Sequence, residues 1–218
     1  MAKRRINVYV DGFNLYHSAL QKTYPGCRWL NLFELAKRLV NPQTEEISDV
    51  YYFSALTEWL PEKAKKHLLY IKALRTIGVK DILGKFTLRE RKCPRCHTLY
   101  KAHEEKKTDI NIAITLLADA VLNKFDTALI LSGDSDLAPV SGKLRLLCPG
   151  KKIGIVIPKG QLAAHLKQHA DFHKSIQAKD FKHSLLPEQV TYNGHIITAP
   201  AGWLPLKSSP APYNYVTL

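Results

Sequence analysis

Ile6-Asn7-Val8-Tyr9-Val10-Asp11-Gly12-Phe13-Asn14 is the stretch on which the reading of this chain turns. Residues 6–10 are short, largely apolar and β-branched, and they stop at an aspartate followed by glycine, which predicts a buried strand running into a turn. A second run of the same kind, residues 127–131 (TALIL), ends in Ser132-Gly133-Asp134-Ser135-Asp136, a turn that opens a helix. Further strands are expected over 50–56 and, more weakly, 79–86, and residues 153–157 (IGIVI) read as a final central strand.

Helical periodicity fills the intervals. It covers 30–40, stopped by Asn41-Pro42, and 62–77, where Ala64, Leu68, Ile71, Leu74 and Ile77 share a face and Gly78 supplies the stop. It returns over 108–122, with Ile110, Ala113, Ile114, Leu117, Ala120 and Val121 as the apolar stripe, and in a short helix over about 161–169. Strands that alternate with helices and are apolar on both faces predict an α/β fold, a parallel sheet covered by helices on both sides.

The chain has 218 residues, 45% of them hydrophobic and 23% charged, which excludes wholesale disorder and suits one sizeable domain with an appendage. Its net charge of +13 must therefore lie on a folded surface and attract polyanions. No run approaches the roughly 18 to 20 apolar residues of a membrane span, and the N-terminus turns polar too early for a secretory signal. Four cysteines are too few for a disulfide scaffold, so a soluble cytoplasmic protein is expected, with no membrane partner. After residue 183 the composition changes. Five of the twelve prolines fall there and only Glu188 and Lys207 carry formal charge, so residues 1–183 are read as the domain and 184–218 as a Pro-rich extension. Its aromatic and aliphatic residues suit a strand pair or contact with a partner, whether a protein or a second copy of the chain.

In an open parallel sheet, ligands bind outside the carboxyl ends of the strands where strand order reverses. If the first strand and that over 127–131 are neighbours, Asp11, Asp134 and Asp136 share one crevice, and Asp109, near the start of a helix, joins them there. Singly, Asp134 and Asp136 also suit helix capping and Asp109 the helix dipole. Together, such carboxylates repel one another and call for raised pKa values or a hard divalent cation such as Mg²⁺ or Mn²⁺.

Val8-Tyr9-Val10-Asp11-Gly12-Phe13-Asn14-Leu15, Lys107-Thr108-Asp109-Ile110-Asn111-Ile112-Ala113 and Ile130-Leu131-Ser132-Gly133-Asp134-Ser135-Asp136-Leu137 resemble, in order and spacing over about residues 5–175, the three signature motifs of the NYN domain family. These are PIN-like ribonucleases that include the LabA-like bacterial proteins. The resemblance implies a three-layer PIN-like fold and divalent-metal-dependent hydrolysis of RNA to a 5′-phosphate and a 3′-hydroxyl. Carried over, Asp11 is the first metal ligand, Asn14 a polar group beside it, Asp109 the acid from the central helix, and Asp134 with Asp136 the pair after the fourth strand. One departure stands out. Thr115 lies near the position where many relatives carry another acid, and Asp119 comes a turn later. Asn14 and Ser132 are candidates to orient phosphate or a metal-bound water, or equally to brace the turns.

Residues 85–107 form a basic insertion or surface ribbon with eight Lys and Arg against three Glu. Lys107, Arg91 and Lys92 are candidate phosphate contacts, and Phe86, Tyr100 or nearby histidines suit stacking on unpaired bases of single-stranded or structured RNA. Cys93-Pro94-Arg95-Cys96 has the spacing of half a zinc site, with His97 and His103 near in sequence, so a structural Zn²⁺ is one reading and a pair of free thiols the other. Two further functional classes remain beside the ribonuclease. One is a catalytically silent RNA-binding adaptor. The other is a phosphatase, disfavoured because no second aspartate stands two residues after Asp11.

Overall fold

The computed structural model describes residues 2–160 and 163–205. The expected start of a helix near residue 161 and the aromatic and Pro-rich features of 206–218 lie outside the described residues.

Ten strands occur in chain order: β1 (Arg4–Asp11), β2 (Glu45–Ser54), β3 (Lys80–Leu83), β4 (Lys85–Lys92), β5 (Leu99–Lys106), β6 (Thr127–Leu131), β7 (Lys152–Pro158), β8 (Phe172–Ile176), β9 (Gln189–Tyr192) and β10 (His195–Thr198). Six of them make one sheet in the order β3-β2-β1-β6-β7-β8, every neighbouring pair parallel. Strand order reverses between β1 and β6, which pair from Ile6↔Thr127 to Val10↔Leu131. β1 has hydrogen-bonded neighbours on both edges and helices on both faces, so its last six residues are all buried. Gly12 follows because a Cβ there would meet the Tyr52 ring at 2.6 Å and the Phe53 carbonyl oxygen at 2.8 Å.

One face of the sheet is covered by α2 (Leu32–Arg38), α3 (Pro61–Arg75), α7 (Ala178–Lys182) and the hairpin β9–β10, and its core includes Trp29, Tyr70, Ile71, Leu74 and Phe181. α4 (Thr108–Val121), α5 (Ala138–Leu147) and α6 (Ala164–Gln168) cover the other, around Ile112, Leu116, Leu144 and Ile155. Short α1 (Gly12–Leu15) caps the end of β1. The segment after residue 183 closes over the first face. Trp29 Nε1 donates to the Pro187 carbonyl at 2.8 Å, Leu186 N donates to the Trp29 carbonyl at 3.0 Å, and the Trp203 ring lies 6.0 Å from that of Tyr70.

Residues 153–157 form the last central strand, and β8 pairs beyond them at the edge of the sheet; its residues alternate in burial, so FHKSI lacks the continuous apolar run of a central strand. Three expectations change. The weak third strand ends at Leu83, and β4 begins a separate antiparallel ribbon after Gly84. On α4 the buried face is Thr108, Ile112, Leu116, Asp119 and Ala120, while Ile110, Ile114 and Val121 are more than 60% exposed. The helix is apolar almost all round, so two stripes compete, and Asp119 disguised the true one. On α3, likewise, Leu68 is exposed and Tyr70 takes its place in the core.

Asp119 is buried because it is fully employed. Its carboxylate accepts from Tyr9 Oη at 3.0 Å, from Asn7 Nδ2 at 3.3 Å and from Lys124 Nζ at 2.9 Å. It therefore braces α4 against β1. Asp119→Ala leaves the buried Tyr9 hydroxyl without its acceptor and Asn7 Nδ2 with only Tyr9 Oη at 3.4 Å, and is expected to cost about 2–4 kcal/mol in urea unfolding, whereas Asp119→Asn loses less.

Candidate active site

Asp11 ends β1 and caps α1, and the residue is buried at 4% exposure. It is held from two sides: Oδ1 accepts from Asn14 N and Oδ2 from Ser132 Oγ, both at 2.9 Å. The second bond joins the tips of the two strands at which the sheet reverses. Ser132 Oγ in turn accepts from Asp134 N at 3.1 Å, Asn14 Oδ1 accepts from Gly133 N at 3.0 Å, and Asp134 Oδ1 caps the next turn by accepting from Asp136 N at 3.0 Å. Asn14 and Ser132 thus brace the turns, and the same bonds aim the acids.

The acids surround an open crevice of about 420 Å³ lined by Asp11, Asn14, Asp109, Asp134, Glu105, Thr108, Phe13, His17 and Ser18. Asp136 is outside this lining, although its charge bears on Asp109. Asp109 reaches the crevice from the first turn of α4, which starts here because Lys107 adopts a left-handed backbone (φ 83°) and Glu105 accepts from Thr108 N at 3.1 Å. Sequence reasoning missed Glu105, counting it only against the basic residues of the ribbon. Its sequence signal is position: three residues before the helix start, where it accepts from the orphan N–H of Thr108. Gly84 allows the approach, since a Cβ there would lie 2.6 Å from the Lys106 carbonyl oxygen and 2.8 Å from Glu105 Oε1.

Electrostatically the crevice is overloaded with like charge. Burial, with the charges of Asp134, Asp11, Glu105 and Asp136, pushes the Asp109 carboxyl up from its ordinary 3.8 to about 6. Asp11 also rises, chiefly through burial, with the bonds from Asn14 and Ser132 opposing. An all-oxygen donor set under mutual repulsion suits a hard cation that keeps several waters, as Mg²⁺ does. Among the described residues no three acids, histidines or cysteines close on a single point as direct ligands. The fit is accordingly to a hydrated ion held by one or two carboxylates.

The remaining candidates lie along the ribbon. Lys107 stands at its base and is exposed, Lys92 is near its tip, and Arg91 is engaged with Glu104. Cys93 and Cys96 occupy the turn at the far end, away from the crevice. Cys96 Sγ is hydrogen-bonded to Thr98 Oγ1 at 3.3 Å, and bonds with Thr98 and Cys93 draw its thiol down to about 7. A structural zinc, one of the two readings of this pair, does not fit these residues: among the described residues no third ligand joins the two thiols, and His103 is instead stacked on Trp59. Thr115 and Asp119 are both outside the crevice lining, Asp119 being committed to the core.

A parallel sheet that reverses beside an acidic crevice defines a PIN-like α/β domain. The chain belongs to the NYN domain family, whose profile matches residues 5–177, and so to the PIN-like nuclease superfamily. It is 25% identical over 189 residues to 6-hydroxy-3-succinoylpyridine 3-monooxygenase HspA of Pseudomonas putida (strain DSM 28022 / S16), a match covering 71% of this chain and 59% of that protein. The chain thus spans under two thirds of that relative. The crystal structure of a protein of unknown function from Vibrio parahaemolyticus RIMD 2210633 shares the fold, with a TM-score of 0.55 and 17% identity over 84% of this chain and 97% of that one. No helix among the described residues is long and apolar enough to cross a membrane.

Because Asp109 has a higher pKa folded than unfolded, the native state binds the extra proton, and wild-type stability falls as pH rises through about 6. In chelator, Asp109→Asn should therefore be the more stable protein above pH 6, by on the order of 1 kcal/mol after solvent screening. That advantage should vanish below about pH 4, where the wild-type carboxyl is protonated in both states. Denaturant titrations at the two pH values check this.

Proposed function

We propose that the crevice hydrolyses RNA phosphodiester bonds with the help of Mg²⁺ or Mn²⁺. The observation that carries this reading is the convergence of Asp11, Asp109, Asp134 and Glu105 on one open crevice in a chain of net charge +13. Such a floor repels phosphate unless a cation intervenes, and the surrounding basic surface would attract the same phosphate.

One or two of Asp11, Asp109 and Asp134 would hold the hydrated ion, with the remaining acids, Glu105 and Asp136 among them, adding charge. When bound, it neutralises phosphate charge and makes a water nucleophilic near neutral pH. The chain's own residues do the positioning. Ser132 fixes the Asp11 carboxylate by donating to Oδ2, Asn14 fixes the Gly133 turn, and Lys107 at the rim offers a phosphate contact. In the net reaction water adds to phosphorus, the bond to the 3′ oxygen breaks, and that oxygen leaves with a proton, giving a 5′-phosphate and a 3′-hydroxyl. At 25% identity and partial coverage, monooxygenation stays a statement about the Pseudomonas protein.

The loose spacing of the acids favours, as a second reading, a silent RNA-binding module. End-labelled RNA decides between them. The nuclease reading expects cleavage that requires Mg²⁺ or Mn²⁺, stops with chelator, and falls at least ~100-fold in Asp11→Asn and Asp134→Asn. Binding without cleavage at any metal concentration favours the silent module. Cleavage unchanged in both variants defeats the assignment of the crevice.

A further inference from the structure

The β4–β5 ribbon has two unlike faces. Directly opposed residues of an antiparallel pair share a face, so Phe86 with Glu105, Leu88 with His103, Glu90 with Lys101 and Lys92 with Leu99 lie on one side. This is the side that meets the crevice: Glu105 lines it, and the Phe86 ring packs edge-on against crevice-lining Phe13, centroids 5.4 Å apart. The other side carries Arg91 and Tyr100, with Arg91 tied to Glu104, whose carboxyl is held at about 2 by Lys106 and Arg91.

From the crevice, aromatic rings continue outward along the first face. Trp59, in the loop before α3, sets its ring 4.6 Å from Phe86 at 83° and stacks on His103 at 3.6 Å with the planes 5° apart. Trp59 nevertheless stays 37% exposed, and His103 is exposed. On the same face Leu88, opposite His103, and Leu99, opposite Lys92, are half or more exposed, and between these pairs Lys101 stands opposite Glu90. A stacked, partly exposed ring pair with two lysines farther out on the same face, beginning where an acidic crevice ends, has the make-up of a sequence-tolerant platform for unpaired bases. The spacing is also apt. Two residues along a strand advance about 6.8 Å, so outward from Glu105 the side chains of His103, Lys101 and Leu99 follow at intervals suited to an extended polynucleotide.

We propose that the Trp59–His103 pair is a base-stacking platform, and that the ribbon face from Phe86 to Leu99 is the track along which single-stranded RNA enters the crevice. The inference rests on the ribonuclease reading and adds the strandedness of the substrate and the residues that select it. A duplex keeps its bases stacked on one another and has no free face to offer the pair.

The test is binding of a labelled single-stranded oligoadenylate and of a blunt RNA duplex, both in chelator so that neither is turned over. Trp59→Leu and His103→Ala should bind the single strand about tenfold more weakly than wild type, while Trp59→Phe, which keeps a ring, stays within about twofold. Duplex affinity should be the same in all four proteins, and quenching of tryptophan emission by the single strand should disappear in Trp59→Phe. Matching thermal melts establish that each variant is folded, and His103→Ala leaves Trp59 in place should Trp59→Leu not fold. Unchanged single-strand affinity in both variants overturns the platform while leaving the ribonuclease reading intact. Equal loss on single strand and duplex also overturns it, because the pair would then merely pin the ribbon to the body. A wild-type protein that binds neither RNA, in chelator or with Ca²⁺ supplied in its place, overturns both.

Discussion

The hydrogen bond from Ser132 to Asp11 ties together the two halves of the site. It spans β1 and β6 where the sheet reverses, and it fixes an anion at the tip of a strand whose last six residues are buried. A carboxylate in that position is disfavoured by desolvation, and two hydrogen bonds offset only part of that cost. Asp134 and Asp109 arrive from the following turn and from α4, so the fold concentrates negative charge that the chain's own cations do not neutralise there. The raised carboxyl of Asp109 expresses that conflict. A site of this kind is less stable than its neutralised variant and is suited to a cation and a phosphate arriving together.

The ribbon answers a second constraint. A positively charged protein attracts any polyanion, and attraction alone does not direct a strand to a crevice. β4 and β5 supply direction because one face of the ribbon is continuous with the crevice floor through Glu105 and Phe86. Gly84 and the left-handed Lys107 set the ribbon's base tightly against the start of α4, so the ribbon and Asp109 are positioned by the same few residues.

Much of this was legible in the sequence. β1 and β6 announce themselves by continuous apolar runs, and the aspartates after them stand out because they interrupt such runs. The stripe of α4 was misassigned for a physical reason: in a helix apolar on nearly every side, periodicity cannot choose between faces, and the buried one contains an aspartate. Asp119 is tolerable there only because Tyr9, Asn7 and Lys124, distant in sequence or on another element, converge on it. Glu105 escaped notice for the opposite reason. Among lysines and arginines a glutamate reads as charge balance, and only the pairing of β5 with β4 turns it toward the acids.

By itself the sequence determined the α/β class, the order of the motifs, the positions of Asp11, Asp109 and Asp134, and the basic character of residues 85–107, because hydrophobic period and local charge are properties of neighbouring residues. Tertiary structure alone decided that β1 and β6 are adjacent, that Glu105 joins the crevice while Asp136 stands outside its lining, and that Asp119 belongs to the core. It also decided that Cys93 and Cys96 have no third ligand among the described residues, and that Trp59 meets His103 across 44 residues of chain. These are matters of strand order, register and side-chain convergence over long separations, on which the periodicity of a single segment is silent.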